Sequence, residues 1–164
     1  AVRSGLGVSV LSRLAAIDFI ESGDVSGTVT SIGFIHTMLN TVNNQQIYVP
    51  NGTISAANII NYNAEETRRV DMEFTVAYGT DIDKVNKVLL TVAGANDKIL
   101  KDPAPFARLS KQSESSLTFT LRVWAASEDY WTVNFDLLEA INARFEAEGI
   151  EVPFNQLDVH VKND

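Results

Sequence analysis

The hydrophobic period of this chain changes at Val70, and that change limits what the chain can fold into. Before it, apolar residues come in short runs among Gly, Thr and Asn, the pattern of brief strands joined by tight turns. After it, alternating runs take turns with stretches that repeat at helical spacing. Between the two lies Asn63 to Arg69, NAEETRR, which is polar and has no core pattern. It reads as a linker and domain boundary.

In the first part, Val25, Val29 and Ile32 sit among Gly and Thr, and Phe34, Ile35 and Leu39 follow. Gly23, Gly27 and Gly33 read as bends or bulges. Val42-Asn43-Asn44 reads as a turn, because Asn tolerates left-handed backbone angles. Ile47-Tyr48-Val49 is a strand that Pro50 stops, and Asn51-Gly52 supplies a second tight turn. Ile54, Ile59 and Ile60 are expected to return to a buried surface. Phe19 to Tyr62 is therefore expected to be all β, a small and strongly bent sheet or barrel.

In the second part, Met72, Phe74 and Val76 alternate as a strand. Thr80-Asp81-Ile82-Asp83 opens a helix: Thr80 can cap it, and the two acids suit its positive end. Ile82, Val85, Val88, Leu89 and Val92 form one face, and Gly94 closes it. Pro103 and Pro105 precede a strand near Ala107 to Lys111. Gln112 to Ser115 turns the chain into Leu117, Phe119, Leu121 and Val123. Ser127-Glu128-Asp129 starts a second helix with Val133, Leu137, Leu138, Ile141 and Phe145 inward and Gly149 as its stop. The order β-α-β-β-α is a split β-α-β of ferredoxin-like type.

Composition removes several chemistries. There is no cysteine, which excludes disulfides, thiolate zinc sites and cysteine nucleophiles. A formal charge of −8 opposes binding to nucleic acid or anionic lipid. No window approaches the ~18 continuous apolar residues of a membrane helix. Gly5 to Ile17 comes nearest, but Arg13 interrupts it. The first residue is Ala1 rather than Met, as in a fragment or after removal of a start methionine.

The remaining candidates have plainer explanations. His36 and His160 are far apart with no carboxylate cluster at ligand spacing, so no metal is expected. Gly23 to Gly27 lacks the Lys-Ser/Thr ending of a phosphate loop, and Ser26 does not fit a nucleophile elbow by spacing. Asp81 and Asp83 are explained by the helix start. Glu139, Glu146 and Glu148 read as a solvated helix face, and Trp124 and Trp131 as core or interface packing. Asn51-Gly52-Thr53 is a formal glycosylation sequon. No catalytic residue, cofactor or metal is expected.

The wording of Gly23 to Tyr62 is more specific than its physics. The elements Val25-Ser26-Gly27-Thr28-Val29, Thr41 with its Asn turn, Val49-Pro50-Asn51-Gly52 and Asn58-Ile59-Ile60-Asn61 follow in order. Further on come Val76-Ala77-Tyr78, Asp81-Ile82-Asp83, Ile99-Leu100-Lys101-Asp102, Arg122-Val123-Trp124, Asp136-Leu137-Leu138-Glu139 and Gln156-Leu157-Asp158-Val159. In this nearly ungapped order the chain resembles the cytoplasmic region of the small-conductance mechanosensitive channel (MscS) family.

The resemblance implies a homoheptamer whose Sm-like β domains and ferredoxin-like domains enclose a vestibule beneath a tension-gated pore. Ions and small osmolytes would leave through it on hypo-osmotic shock. The parent protein would sit in a bacterial inner membrane, held by helices absent from this chain, with this region on the cytoplasmic side. Pro50, Asn51 and Gly52 would be the family's signature turn. Residues 1–17 would be a remnant of the pore-helix end, although about ten expected residues before Asp18 are missing, or sequence foreign to the native chain. The expected organisation is then 18–62 β domain, 63–69 linker, 70–154 ferredoxin-like domain and 155–164 terminal strand.

The tail admits two readings. By physics alone Leu157, Val159 and Val161 make a last strand of the sheet. The resemblance instead sends them into a terminal β-barrel with one strand from each subunit, as an oligomerisation strand. Two other function classes compete. One is a soluble module binding RNA or protein, although Ser116 to Trp124 lacks the basic, glycine-containing RNA signature. The other is an enzyme on the ferredoxin-like scaffold, for which Arg68 and Arg69 are the paired anion-binding candidates.

Overall fold

The computed structural model describes residue 11 and residues 14–153. They fall into two compact units that divide between Glu66 and Thr67.

The first unit is an antiparallel five-stranded sheet. Its strands are β1 (Phe19–Ser22), β2 (Val25–Ile32), β3 (His36–Asn40), β4 (Gln46–Pro50) and β5 (Ile59–Asn61), ordered β4-β3-β2-β1-β5. Among the described residues the sheet is open, not a closed barrel. Gly23 makes the β1–β2 turn at φ 63°, and Asn44 the β3–β4 turn at φ 61°. A register shift between Val29 and Ser31 bends β2. Gly27 is neither a turn nor the bulge. An added Cβ there would lie 2.8 Å from the Asn40 carbonyl oxygen, so glycine permits β2 and β3 to approach. Ile20, Val29, Leu39, Val49 and Ile54 form the core of this unit, joined by Leu11.

Two expectations fail here. The stretch from Asn51 is not a tight turn but a short helix, α1 (Asn51–Ala56), which carries Ile54 into the core. Phe19 to Tyr62 is therefore not wholly β. Ile60 is half exposed rather than buried, because in a paired strand only its neighbours Ile59 and Asn61 share the other face.

The second unit is a three-stranded antiparallel sheet covered on one face by two helices. Its elements are β6 (Thr67–Ala77), α2 (Ile82–Ala95), β7 (Phe106–Gln112), β8 (Ser116–Ala126) and α3 (Tyr130–Ala147). The order β6-β8-β7 is that of a ferredoxin-like sheet whose last edge place, beside β6, is only begun: the Ala77 N–H donates to the Glu151 carbonyl at 2.9 Å. Val70, Met72, Phe74 and Val76 from β6 meet Leu117, Phe119, Leu121 and Val123 from β8. Val85, Val88 and Leu89 of α2 and Val133, Leu137, Ile141 and Phe145 of α3 close the core. Each such fully buried side chain contributes about 1.5–3 kcal/mol by leaving water.

The polar stretch 63–69 is not all linker. Thr67, Arg68 and Arg69 pair with Ala126, Ala125 and Trp124 as the start of β6. The Arg68 guanidinium lies 3.9 Å from the centre of the Tyr130 ring, so an arginine stem stands where an apolar residue was sought.

Helix ends also differ in detail. Thr80 does not cap α2; its hydroxyl donates back to the Ala77 carbonyl. Asp81 caps instead, accepting from the Asp83 and Lys84 N–H groups. Ile82 is partly exposed, and Gly94 lies inside the helix, which ends where Asn96 turns extended. A 3-10 turn, Ser127–Asp129, precedes α3. Gly149, at φ 64°, does stop α3. Its N–H reaches the Glu146 carbonyl while the Ile150 N–H reaches that of Phe145, the paired bonds of a Schellman ending. Leu138 is half exposed: it lies a quarter-turn from Leu137, off the buried stripe.

Candidate functional site

The Asn51 side chain makes three hydrogen bonds. Its amide nitrogen donates to the Gly33 carbonyl at 2.9 Å and the Phe34 carbonyl at 3.1 Å. Its amide oxygen accepts from the hydroxyl of fully buried Thr37 at 2.9 Å, and its backbone N–H donates to the Ile35 carbonyl at 2.8 Å. Pro50, extended at φ −56°, ψ 135°, delivers Asn51 to this position from the end of β4. Gly52 follows inside α1 with open space around its Cα. Thus Pro50, Asn51 and Gly52 act together, but as a strand-to-helix junction that clamps the β2–β3 connection.

The clamp fixes an apolar tip. Phe34 is fully exposed and Ile35 largely so, and the Gly33 N–H closes the connection on the His36 carbonyl at 2.8 Å. Sequence reasoning passed over this tip. The signal was present: adjacent Phe34 and Ile35 break the alternation after Gly33, which a half-buried strand would not do. At this end of the sheet Ile32 pairs Thr37 and His36 pairs Pro50, whereas Phe19, where the chain enters β1, pairs Thr28 in the middle of β2.

Other candidates separate. Among the described residues no group of His, Asp and Glu could hold a metal ion. His36 is exposed on β3. Glu139 and Glu146 are exposed, and Glu148 bridges Arg144 at 2.8 Å and Lys84 at 3.6 Å. Arg69 pairs with Asp71 at 2.9 Å rather than standing with Arg68 over an anion loop. Trp124 is half-buried on β8, whereas Trp131 lies largely exposed on α3 and is not core. The Lys98 ammonium meets the Asp129 carboxylate at 2.6 Å, and this hydrogen bond raises the lysine above its ordinary pKa. His160 and the strand residues Leu157, Val159 and Val161 lie outside the described residues. No described helix is long and apolar enough to cross a membrane.

The family model for the mechanosensitive ion channel beta-domain matches residues 3–64, and that for the MscS C-terminal region matches residues 70–152. The chain is 43% identical over 144 residues to the small-conductance mechanosensitive channel of Edwardsiella ictaluri (strain 93-146), covering 88% of this chain and 50% of that protein. It is 34% identical to the corresponding channel of Helicobacter pylori (strain UM084), covering 99% of this chain and 60% of that one. The crystal structure of Helicobacter pylori MscS in its closed state superposes with a TM-score of 0.89 at 35% identity, over 96% of this chain and 64% of that chain. The structure of Arabidopsis thaliana MSL1, at 21% identity and TM-score 0.74 over 91% of this chain and 57% of that one, shares the fold.

The chain belongs to the MscS family of mechanosensitive ion channels. It spans about half the length of the curated relatives it matches.

Proposed function

We propose that this chain is the cytoplasmic portion of a small-conductance mechanosensitive channel. In this reading seven copies enclose a vestibule below a tension-gated pore in a bacterial inner membrane. Ions and small osmolytes pass through it on hypo-osmotic shock, and flow is set by cavity size and wall charge rather than by tight binding. The observation that carries the reading is that the two family models tile the chain in the order of a channel's cytoplasmic region.

The domain organisation fits this role. The β unit carries an exposed apolar tip, Phe34 and Ile35, at its β2–β3 connection, and in this reading the tip is directed to the membrane. Leu157, Val159 and Val161 are assigned to a terminal barrel built from one strand per subunit. Pairing with neighbours is what a lone strand of this length requires. Permeant ions and osmolytes are the partners, and the family is one of ion channels rather than enzymes.

A chimera tests this. The matching cytoplasmic region of the Edwardsiella ictaluri channel is replaced by this chain, in cells without other mechanosensitive channels. Tension-activated current and survival of hypo-osmotic shock are expected. A chimera that reaches the membrane and assembles but passes no current under tension would contradict the reading.

A further inference from the structure

Asn51 precedes Gly52, and this is the one Asn-Gly pair in the sequence. Asparagine is among the chemically labile residues, and a following glycine lacks the side chain that would otherwise shield the next backbone nitrogen. That nitrogen can attack the asparagine side-chain carbonyl carbon. Gly52 is exposed, with open space around its Cα, so solvent reaches the pair. The geometry nevertheless opposes reaction. The Asn51 amide nitrogen, which would have to leave, donates to the Gly33 and Phe34 carbonyls at 2.9 and 3.1 Å, and the amide oxygen accepts from Thr37 at 2.9 Å. Both residues also lie in the first turn of α1, where helical backbone angles at Asn51 hold the Gly52 nitrogen out of line with the side-chain carbon.

We propose that Asn51–Gly52 is a deamidation site kept silent by the clamp, and that its reaction converts the clamp irreversibly from closed to open. Opening is a local event: α1 has six residues, too few to persist alone, no side-chain cap, and Ile54 as its anchor in the core. Once α1 leaves its place, the Gly52 nitrogen loses its proton to solvent base and bonds to the Asn51 side-chain carbonyl carbon. The bond from that carbon to the amide nitrogen breaks, and ammonia departs carrying a proton. Water then opens the resulting succinimide, at one carbonyl to aspartate and at the other to isoaspartate. Neither product restores the clamp. A carboxylate only accepts hydrogen bonds, so it cannot serve the Gly33 and Phe34 carbonyls, and it repels them. Isoaspartate also lengthens the main chain by one methylene at the start of α1. The new charge falls within residues 25–64, a stretch that holds no Lys or Arg to pair with it and no other Asp or Glu.

The test follows Asn51 in the whole chain by peptide mass spectrometry, which separates asparagine, aspartate and isoaspartate, at mildly alkaline pH with and without denaturing urea. In urea Asn51 is expected to react first among the asparagines. In the folded chain it is expected to react about 100-fold more slowly, the combined effect of the clamp's hydrogen bonds. Thr37→Val removes one of those bonds at nearly constant shape and should speed the folded-state reaction about fivefold. Ile54→Val loosens the anchor of α1 without touching the clamp, and should speed it by a similar factor even where Thr37→Val does not fold. Gly52→Ala should slow the reaction in urea, because the added methyl shields the attacking nitrogen. Asn51→Asp, made directly, stands in for the product and should exchange its Ile35 and His36 amides faster than the wild type. Asn51 reacting as fast in the folded chain as in urea overturns the proposal, and so does a reaction in urea no faster than at the other asparagines. A folded-state rate that neither Thr37→Val nor Ile54→Val raises overturns it too, as does wild-type exchange in Asn51→Asp. Each readout is made on the single chain, so none of these outcomes bears on the vestibule.

Discussion

Thr37 and Asn51 are fourteen residues apart in sequence, yet the buried threonine hydroxyl donates to the asparagine amide oxygen at 2.9 Å. That bond turns the amide so that its nitrogen reaches both the Gly33 and Phe34 carbonyls. One side chain thereby joins the start of β3, the β2–β3 connection and the end of β4.

Replacing Asn51 by Ala strands the Thr37 hydroxyl and releases two carbonyls. A buried group left without a partner costs about 1–3 kcal/mol. Asn51→Ala should destabilise the chain by that amount in urea unfolding, and hydrogen exchange should quicken at Ile35 and His36. Unchanged stability would show that the clamp bears no strain of folding.

Gly52 sits in the first turn of α1 with nothing within reach of an added Cβ and no left-handed backbone angle. Gly52→Ala should therefore be neutral, or stabilising by up to about 1 kcal/mol from helix propensity. A tight turn with positive φ at this glycine would instead lose about that much.

Gly27 is the opposite case. A methyl group there meets the Asn40 carbonyl oxygen at 2.8 Å and the Leu39 Cβ at 3.2 Å. Gly27→Ala should destabilise by about 1–3 kcal/mol, as overpacking does, and thermal unfolding reads it directly.

Lys98 is held protonated chiefly by its hydrogen bond to Asp129, with the nearby charges of Asp129, Asp136 and Glu128 adding to it. Its folded pKa is raised above the unfolded value, so its contribution is fully present below the ordinary lysine pKa. It is lost as pH rises through the higher folded value. The Lys98 ammonium, followed by NMR, should titrate above the ordinary lysine value, and Asp129→Asn should move it down. With the pair about half exposed, the effect on stability is small.

The strands and helices of the second unit were legible because its periodicity is strong. Met72, Phe74 and Val76 alternate, and Val133, Leu137, Ile141 and Phe145 repeat every four residues. What misled was chemistry that one residue type can serve in two ways. Asn51-Gly52 has the composition of a turn, but the asparagine spends its amide on the distant Gly33 and Phe34 carbonyls, leaving the backbone free to enter a helix. Arg68 looked like linker because charge hides the stem that packs beside Tyr130. Leu138 looked like core because it adjoins Leu137; one residue further round the helix it is half exposed. The break in alternation at Phe34 and Ile35 marked an exposed tip, but not that the distant Asn51 side chain would hold it.

Assembly is the central claim, and the mass of the chain in solution tests it most directly. Size exclusion with light scattering is run on this chain and on one ending at Phe154. A mass near seven subunits, lost when the tail carrying Leu157, Val159 and Val161 is removed, is the expected result. A monomer for both chains would contradict a self-assembling vestibule and return those three residues to the sheet of a single copy.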